Sequence, residues 1–272
     1  MSTTNIKKGA YDLLKLHWKK IALLYVINLA VSSVLGGTQT LSALTSVYNS
    51  YSYGYSDMST LMAATSSAFS SNIFLTIWSL LFSYGLLKYM FMLTEGNDSL
   101  EDIVKTFNFK HFISYFLKTF IVGLAVGAVV LLGGIASIIL AFAGEAAVFL
   151  AMIFIVVGVL YVSMMFFPVT YYAVEMPELN IGETFNLAKA SMNGNKGRLL
   201  GLLLYFLGLN LVIVILYSIV LGILGALMIS SILTGICILI GIFATIVLIV
   251  VSVAITYYQQ LAYVHFYLEI KQ

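Results

Sequence analysis

The sequence predicts an all-α fold, a polytopic bundle of six transmembrane helices with three cytoplasmic amphipathic interfacial helices. Three observations predict it. Of 272 residues, 61% are hydrophobic and 9% charged, and the mean hydropathy is +1.05. Polar groups this sparse cannot cover a water-soluble globule of this size, whereas a bilayer accepts apolar surface. The 13 basic residues cluster between the apolar runs. Three polar segments also share one order of features, which suggests a threefold repeat of surface helix plus hairpin.

Residues 1 to 20 carry Lys7, Lys8, Lys15, Lys19 and Lys20, with Ile6, Ala10, Leu13, Leu14 and Trp18 near helical spacing. This pattern predicts a basic amphipathic surface helix over about 4–18. A first span follows at about 20–36, with Lys19 and Lys20 reaching back to the interface. A basic stretch ahead of a short apolar core also has the form of a signal peptide, but no small-x-small cleavage site follows, so the segment is expected to be retained. Residues 37–71 hold no Lys or Arg and are rich in Ser, Thr and Tyr, which predicts an exterior loop whose tyrosines sit at headgroup level.

The second span is expected at about 72–93, ending near Lys88. A second surface helix, about 98–109, opens with Glu101 and Asp102 and closes with Lys105 and Lys110, an order that suits the helix dipole. The third span is set after Lys118, at about 119–142, and a turn around Glu145 leads into the fourth at about 147–172. Gly123 and Gly127 form a GxxxG pair suited to close helix approach. A third surface helix is expected over about 180–192, with Asn180 and Glu183 as a capping box. Residues 199 to 268 contain no Asp, Glu, Lys or Arg, enough for spans at about 199–224 and 236–264 with a turn near 225–235. Gly194, Gly201 and Gly208, seven residues apart, suit helix packing. Pro168 and Pro177 are expected at or beyond the cytoplasmic end of the fourth span.

With the amino terminus inside, every basic residue falls on or near the cytoplasmic face and the three exterior loops carry none. The positive-inside rule therefore predicts a multi-pass protein of a bacterial cell (plasma) membrane with both termini cytoplasmic. The three repeated segments each meet a basic break before an odd-numbered span: Trp18 to Lys20, Lys110 with His111, and Lys196 with Arg198.

At the third repeat the chain resembles the domain of unknown function 975 family of bacterial integral membrane proteins, through Met192, Gly194, Asn195 and Lys196. Ala188 and Gly197 stand where that family tends to carry a small or hydroxyl residue and an aromatic. The resemblance implies a multi-span bacterial protein and supplies no catalytic residues.

The residues themselves suggest no enzyme. His17, His111 and His265 are dispersed, no span carries paired aspartates or a His/Glu motif, and the serines lack a recognisable base. No cofactor or metal is expected, and Cys237 in its apolar run reads as a buried thiol. As bounded above, the span cores contain no ionisable group. Their polar candidates are Asn28, Asn210, Gln259 and Gln260, each expected to bond a neighbouring helix; Glu145 reads as a solvated turn acid. The expected partners are the bilayer, its anionic lipid headgroups and a membrane or cytosolic protein, not nucleic acid. Lys19, Lys20, Lys110, Lys196 and Arg198 are the candidate lipid- or partner-facing residues. These features favour a non-catalytic accessory, assembly or immunity-type factor; the alternative is a transporter or export permease for a small molecule, lipid or peptide.

Overall fold

The computed structural model describes the backbone of residues 3–53, 58–227 and 234–271, and the side chains of these except 35–53, 58–72, 143, 225–227 and 234–235. Eight α-helices follow in order among the described residues: α1 (Thr3–Tyr53), α2 (Met58–Thr94), α3 (Leu100–Lys105), α4 (Phe109–Leu140), α5 (Glu145–Glu175), α6 (Ile181–Ser191), α7 (Lys196–Leu227) and α8 (Thr234–Ile270). No strand occurs among the described residues. Five segments are long and apolar enough to cross a membrane: Ile73–Thr94, Phe109–Leu140, Glu145–Glu175, Lys196–Leu224 and Ile236–Ile270. The first expected span, 20–36, is not among them and runs past residue 34 into side chains outside the described set.

Several boundaries differ from expectation, each for a local reason. The surface helix expected over 4–18 and the span expected at 20–36 are parts of one uninterrupted α1. Lys19 and Lys20 interrupt the hydropathy, but lysine is a good helix former and no Pro or capping residue stops the backbone there. The stretch expected as a loop over 37–71 is helical through Tyr53 and again from Met58. Its Ser, Thr and Tyr residues lower hydropathy without breaking a helix. Of the turn expected near 225–235, residues 225–227 belong to α7 and 234–235 to α8, and 228–233 lie outside the described residues.

The second surface helix, expected over 98–109, is the six-residue α3, capped by Ser99 accepting from the Asp102 amide at 3.3 Å. The chain breaks at Thr106 and restarts where Asn108 Oδ1 accepts the Lys110 amide at 2.9 Å. Asx capping of this kind satisfies an orphan N–H at a new helix start. α4 therefore begins at Phe109, ten residues ahead of the span expected from hydropathy, and Lys118 lies inside it. An ionisable group does stand within a candidate span. Pro168 likewise lies buried inside α5, which continues to Glu175, not at the helix end.

The packed core occupies one end of the bundle. Ile6 and Ala10 from the start of α1 meet Tyr89, Met90 and Leu93 from the end of α2, Val169 and Tyr172 from the end of α5, Leu199, Leu202 and Phe206 from the start of α7, and Leu261 to Ile270 from the end of α8. Ala188 and Met192 of α6 seal it. Both described termini of the chain thus meet at this end. Away from it, residues such as Leu131, Ile138, Phe149, Phe154, Leu239 and Phe243 are exposed, a hydrocarbon surface that water would not tolerate over such an area.

Close helix approach also falls elsewhere than expected. A Cβ at Gly123, Gly127, Gly201 or Gly208 would meet no described atom within 4 Å, whereas one at Gly133 would lie 2.2 Å from Ile155 Cγ1 and one at Gly158 3.0 Å from Val129 Cγ1. The α4–α5 hairpin therefore closes through Gly133 and Gly158.

Candidate functional site

The charge-bearing end of the bundle gathers nearly every candidate residue, because α1, α4 and α7 begin there and α2, α5 and α8 end there. Lys20 of α1 donates to the Asp98 carboxylate at 2.5 Å and to the Asp98 carbonyl at 2.8 Å, tying α1 to the connection after α2. His17 Nδ1 lies 3.6 Å from the same carboxylate. The Lys20 hydrogen bond, aided by the Lys20 and His17 charges, holds the Asp98 carboxyl below its ordinary value of 3.8. At the start of α4, His111 Nε2 lies 3.0 Å and Lys110 Nζ 3.7 Å from Glu178, in the connection to α6. These contacts, His111 first, lower the Glu178 carboxyl.

The other two ties join the end of α8 to its neighbours. Arg198 Nη2 donates to Glu269 Oε1 at 2.6 Å. Glu175, the last residue of α5, accepts the Tyr267 hydroxyl at 2.5 Å and pairs with Lys271. Lys196 donates to the Tyr161 hydroxyl at 3.1 Å, its ammonium 4.2 Å from that ring's centroid. Of the five candidate lipid- or partner-facing residues, Lys20 and Arg198 are thus turned into the chain's own carboxylates and Lys196 onto a tyrosine. Lys19 is exposed, and Lys110 is 81% exposed in a long contact.

The Met192, Gly194, Asn195, Lys196 motif forms the corner between α6 and α7. The expected capping box is present: Asn180 Oδ1 accepts the Glu183 amide at 2.8 Å, and Glu183 Oε2 accepts the Asn180 amide at 3.1 Å. Met192 ends α6 with its side chain fully buried in the core. Gly194 then takes φ +79°, which a residue bearing Cβ adopts at a cost. Asn195 Nδ2 donates to the Ser191 carbonyl at 2.9 Å, its Oδ1 accepts from Arg198 at 3.3 Å, and its carbonyl receives the Leu199 amide at 3.1 Å. One side chain therefore closes α6 and steadies the first turn of α7. The motif's contacts are those of a structural corner.

Inside the bundle, Asn28 Oδ1 accepts from Trp78 Nε1 at 3.0 Å, linking α1 to α2 as expected. Asn210 bonds the Phe206 carbonyl and Gln259 the Tyr263 hydroxyl, both within their own helix, where the sequence predicted bonds between helices. Gln260 instead lines a cleft of about 370 Å³ between α2, α4, α5 and α8, together with Ser83, Tyr115, Ser163, Thr170 and several aromatic rings. Glu145 opens α5 behind Gly144, whose φ is +109°. Cys237 is buried, and no cluster able to hold a metal occurs among the described residues.

Sequence reasoning passed over two features. Lys118 is 1% exposed, and its ammonium donates to the Pro177 carbonyl at 3.4 Å; the Asn108 capping signal three residues before His111 would have moved it into the helix. The cleft has no signal in sequence, since its polar side chains come from four separate helices.

A family model described as "Protein of unknown function (DUF975)" matches residues 1–272, the whole chain. No curated protein and no solved structure matches the chain. Replacing Gly194 by Ala is expected to lower the thermal stability of the detergent-solubilised protein by about 1 kcal/mol. The same change at Gly197, which has ordinary φ and open space around it, is expected to leave stability unchanged or raised. Equal effects at the two positions would contradict the strained-corner assignment.

Proposed function

Since the chain belongs to the DUF975 family of proteins of unknown function, no activity comes to it by kinship, and we propose that it is a non-catalytic integral membrane protein of the bacterial cell membrane that engages anionic lipid at its charge-bearing end. In this reading the six spans and both cytoplasmic termini follow the positive-inside pattern. The protein is an accessory, assembly or immunity-type factor, and α1 is the principal lipid-facing element. One observation carries it: Lys8, Lys15 and Lys19 share an exposed face of α1 with Tyr11 and Trp18. Basic residues at a membrane surface each attract anionic lipid by about 1 kcal/mol, and Trp and Tyr favour the headgroup layer. Lys20 and Arg198, by contrast, are occupied by Asp98 and Glu269, so the contribution falls to the outward lysines.

The two tryptophans give the test. In a Trp78→Phe background, Trp18 fluorescence is expected to be quenched more by brominated phosphatidylglycerol than by brominated phosphatidylcholine, with the preference lost in the Lys8→Gln, Lys15→Gln, Lys19→Gln variant. Equal quenching by the two lipids before mutation removes lipid engagement by α1. The membrane arrangement is tested separately with reporter fusions after residues 55, 145 and 230: all three are expected to read outside, and one reading inside eliminates the six-span topology.

A second reading, a transporter or export permease, is favoured by the cleft between α2, α4, α5 and α8. Ser83, Ser163, Thr170 and Gln260 bring hydrogen-bonding groups to membrane-spanning depth, where polar side chains commonly mark a substrate path. In a Cys237→Ser background, a Ser163→Cys thiol is expected to react with a membrane-impermeant thiol reagent if the cleft carries water. Complete protection of that thiol, with the protein folded, counts against a polar route.

A further inference from the structure

We propose that the groove between the first turns of α4 and the α5–α6 connection binds the phosphate of one anionic phospholipid, whose acyl chains lie along the adjoining face of α4. This site rests on the reading that the charge-bearing end meets lipid, but it involves different residues from the α1 face. The groove, of about 450 Å³, is bordered by Lys110, His111, Ser114, Lys118, Pro177 and Glu178. Its chemistry begins with Lys118. An ammonium enclosed to 1% exposure has three N–H donors, and among the described residues Lys118 makes no ion pair; its one hydrogen bond is the 3.4 Å contact to the Pro177 carbonyl. A buried cation so weakly satisfied is costly and calls for an anion.

The acid in the groove fills that role only in part: the Glu178 charge acts on Lys118 but makes no ion pair with it among the described residues. Glu178 is 71% exposed and is engaged by His111 at 3.0 Å and Lys110 at 3.7 Å. Two lysines against one carboxylate leave a net positive groove. α6 begins at Ile181 beside the same groove, but its first turn is already capped by Asn180 and Glu183, so the lysines carry the field. The carboxylate is tethered at the mouth, while the ammonium of Lys118 lies deeper.

The apolar surroundings select a lipid over a free anion. Ile113, Leu117, Phe120 and Leu124 are exposed and recur at helical spacing on one face of α4 beside the groove. From Ile113 to Leu124 the helix rises about 16 Å, close to the hydrocarbon depth of one leaflet. α4 has 32 residues, a length of about 48 Å against a hydrocarbon core of about 30 Å, so about 9 Å stands outside at each end if the helix is centred. Lys118 then lies about 4 Å below the hydrocarbon edge, from where its four-carbon stem reaches the phosphate level.

Native mass spectrometry of the full chain in non-ionic detergent, with equal phosphatidylglycerol and phosphatidylcholine, provides the test. Preferential retention of a single phosphatidylglycerol is expected, falling about tenfold in Lys118→Met, as loss of one charge-assisted hydrogen bond implies, and largely restored in Lys118→Arg. The Lys8→Gln, Lys15→Gln, Lys19→Gln variant is expected to retain this lipid, so failure of the α1 reading and failure of this one are distinguishable. Equal retention of the two lipids, or unchanged retention in Lys118→Met, overturns the proposal. Displacement of the lipid by inorganic phosphate at equal concentration overturns the lipid assignment in favour of a free anion. Should Lys118→Met fail to fold, Lys110→Gln with His111→Gln at the groove mouth is expected to weaken retention, and undiminished retention there overturns the site.

Discussion

The carboxylate of Glu175 is where the bundle is fastened. It ends α5, accepts the Tyr267 hydroxyl and pairs with Lys271 at the end of α8, so the last turns of two helices from different hairpins share one partly buried acid. Around it the rings of Phe91, Tyr171, Tyr172 and Tyr267 meet at centroid separations between 5.0 and 6.4 Å. Aromatic packing of this kind adds to the burial energy of large side chains. Truncating Tyr267 would therefore remove both a ring from the core and one of the two donors to the acid, leaving Lys271 as its partner.

The other ties at this end follow the same logic. Lys20 with Asp98, His111 with Glu178, and Arg198 with Glu269 each join one helix to the end of another or to a connection. Apolar helices in a bilayer gain little from burying side chains that lipid solvates equally well, so polar ties and close packing must supply the specificity. This accounts for a core concentrated at one end and bare hydrocarbon elsewhere. It also separates the basic residues that hold the fold from those left exposed on the outward face of α1 and at the mouth of the α4 groove.

Local patterns were legible in the sequence and distant ones were not. The Asn180 and Glu183 capping box could be read because its partners stand three residues apart. The turn at Gly144 was legible for a similar reason, and the burial of Cys237 was expected from the apolar run around it. Asn28 was correctly read as an interhelical bond, though not its partner Trp78. Lys118 was misread because hydropathy marks where apolar residues begin, while the helix begins at its cap, Asn108. Gly123 and Gly127 were misread as a packing pair because their spacing does not reveal which face meets a neighbour; Gly133 and Gly158 take that role.

By itself the sequence determined the all-helical, membrane-like character, the order of most helices and the charged corners between them, since composition and capping act over a few residues. Only the tertiary structure decided which cations are occupied. Lys20 and Asp98 are separated by 78 positions and Arg198 and Glu269 by 71, and no local pattern encodes such pairings. It likewise decided that Lys118 is enclosed and that four helices frame a polar cleft, because enclosure belongs to the arrangement of helices in space.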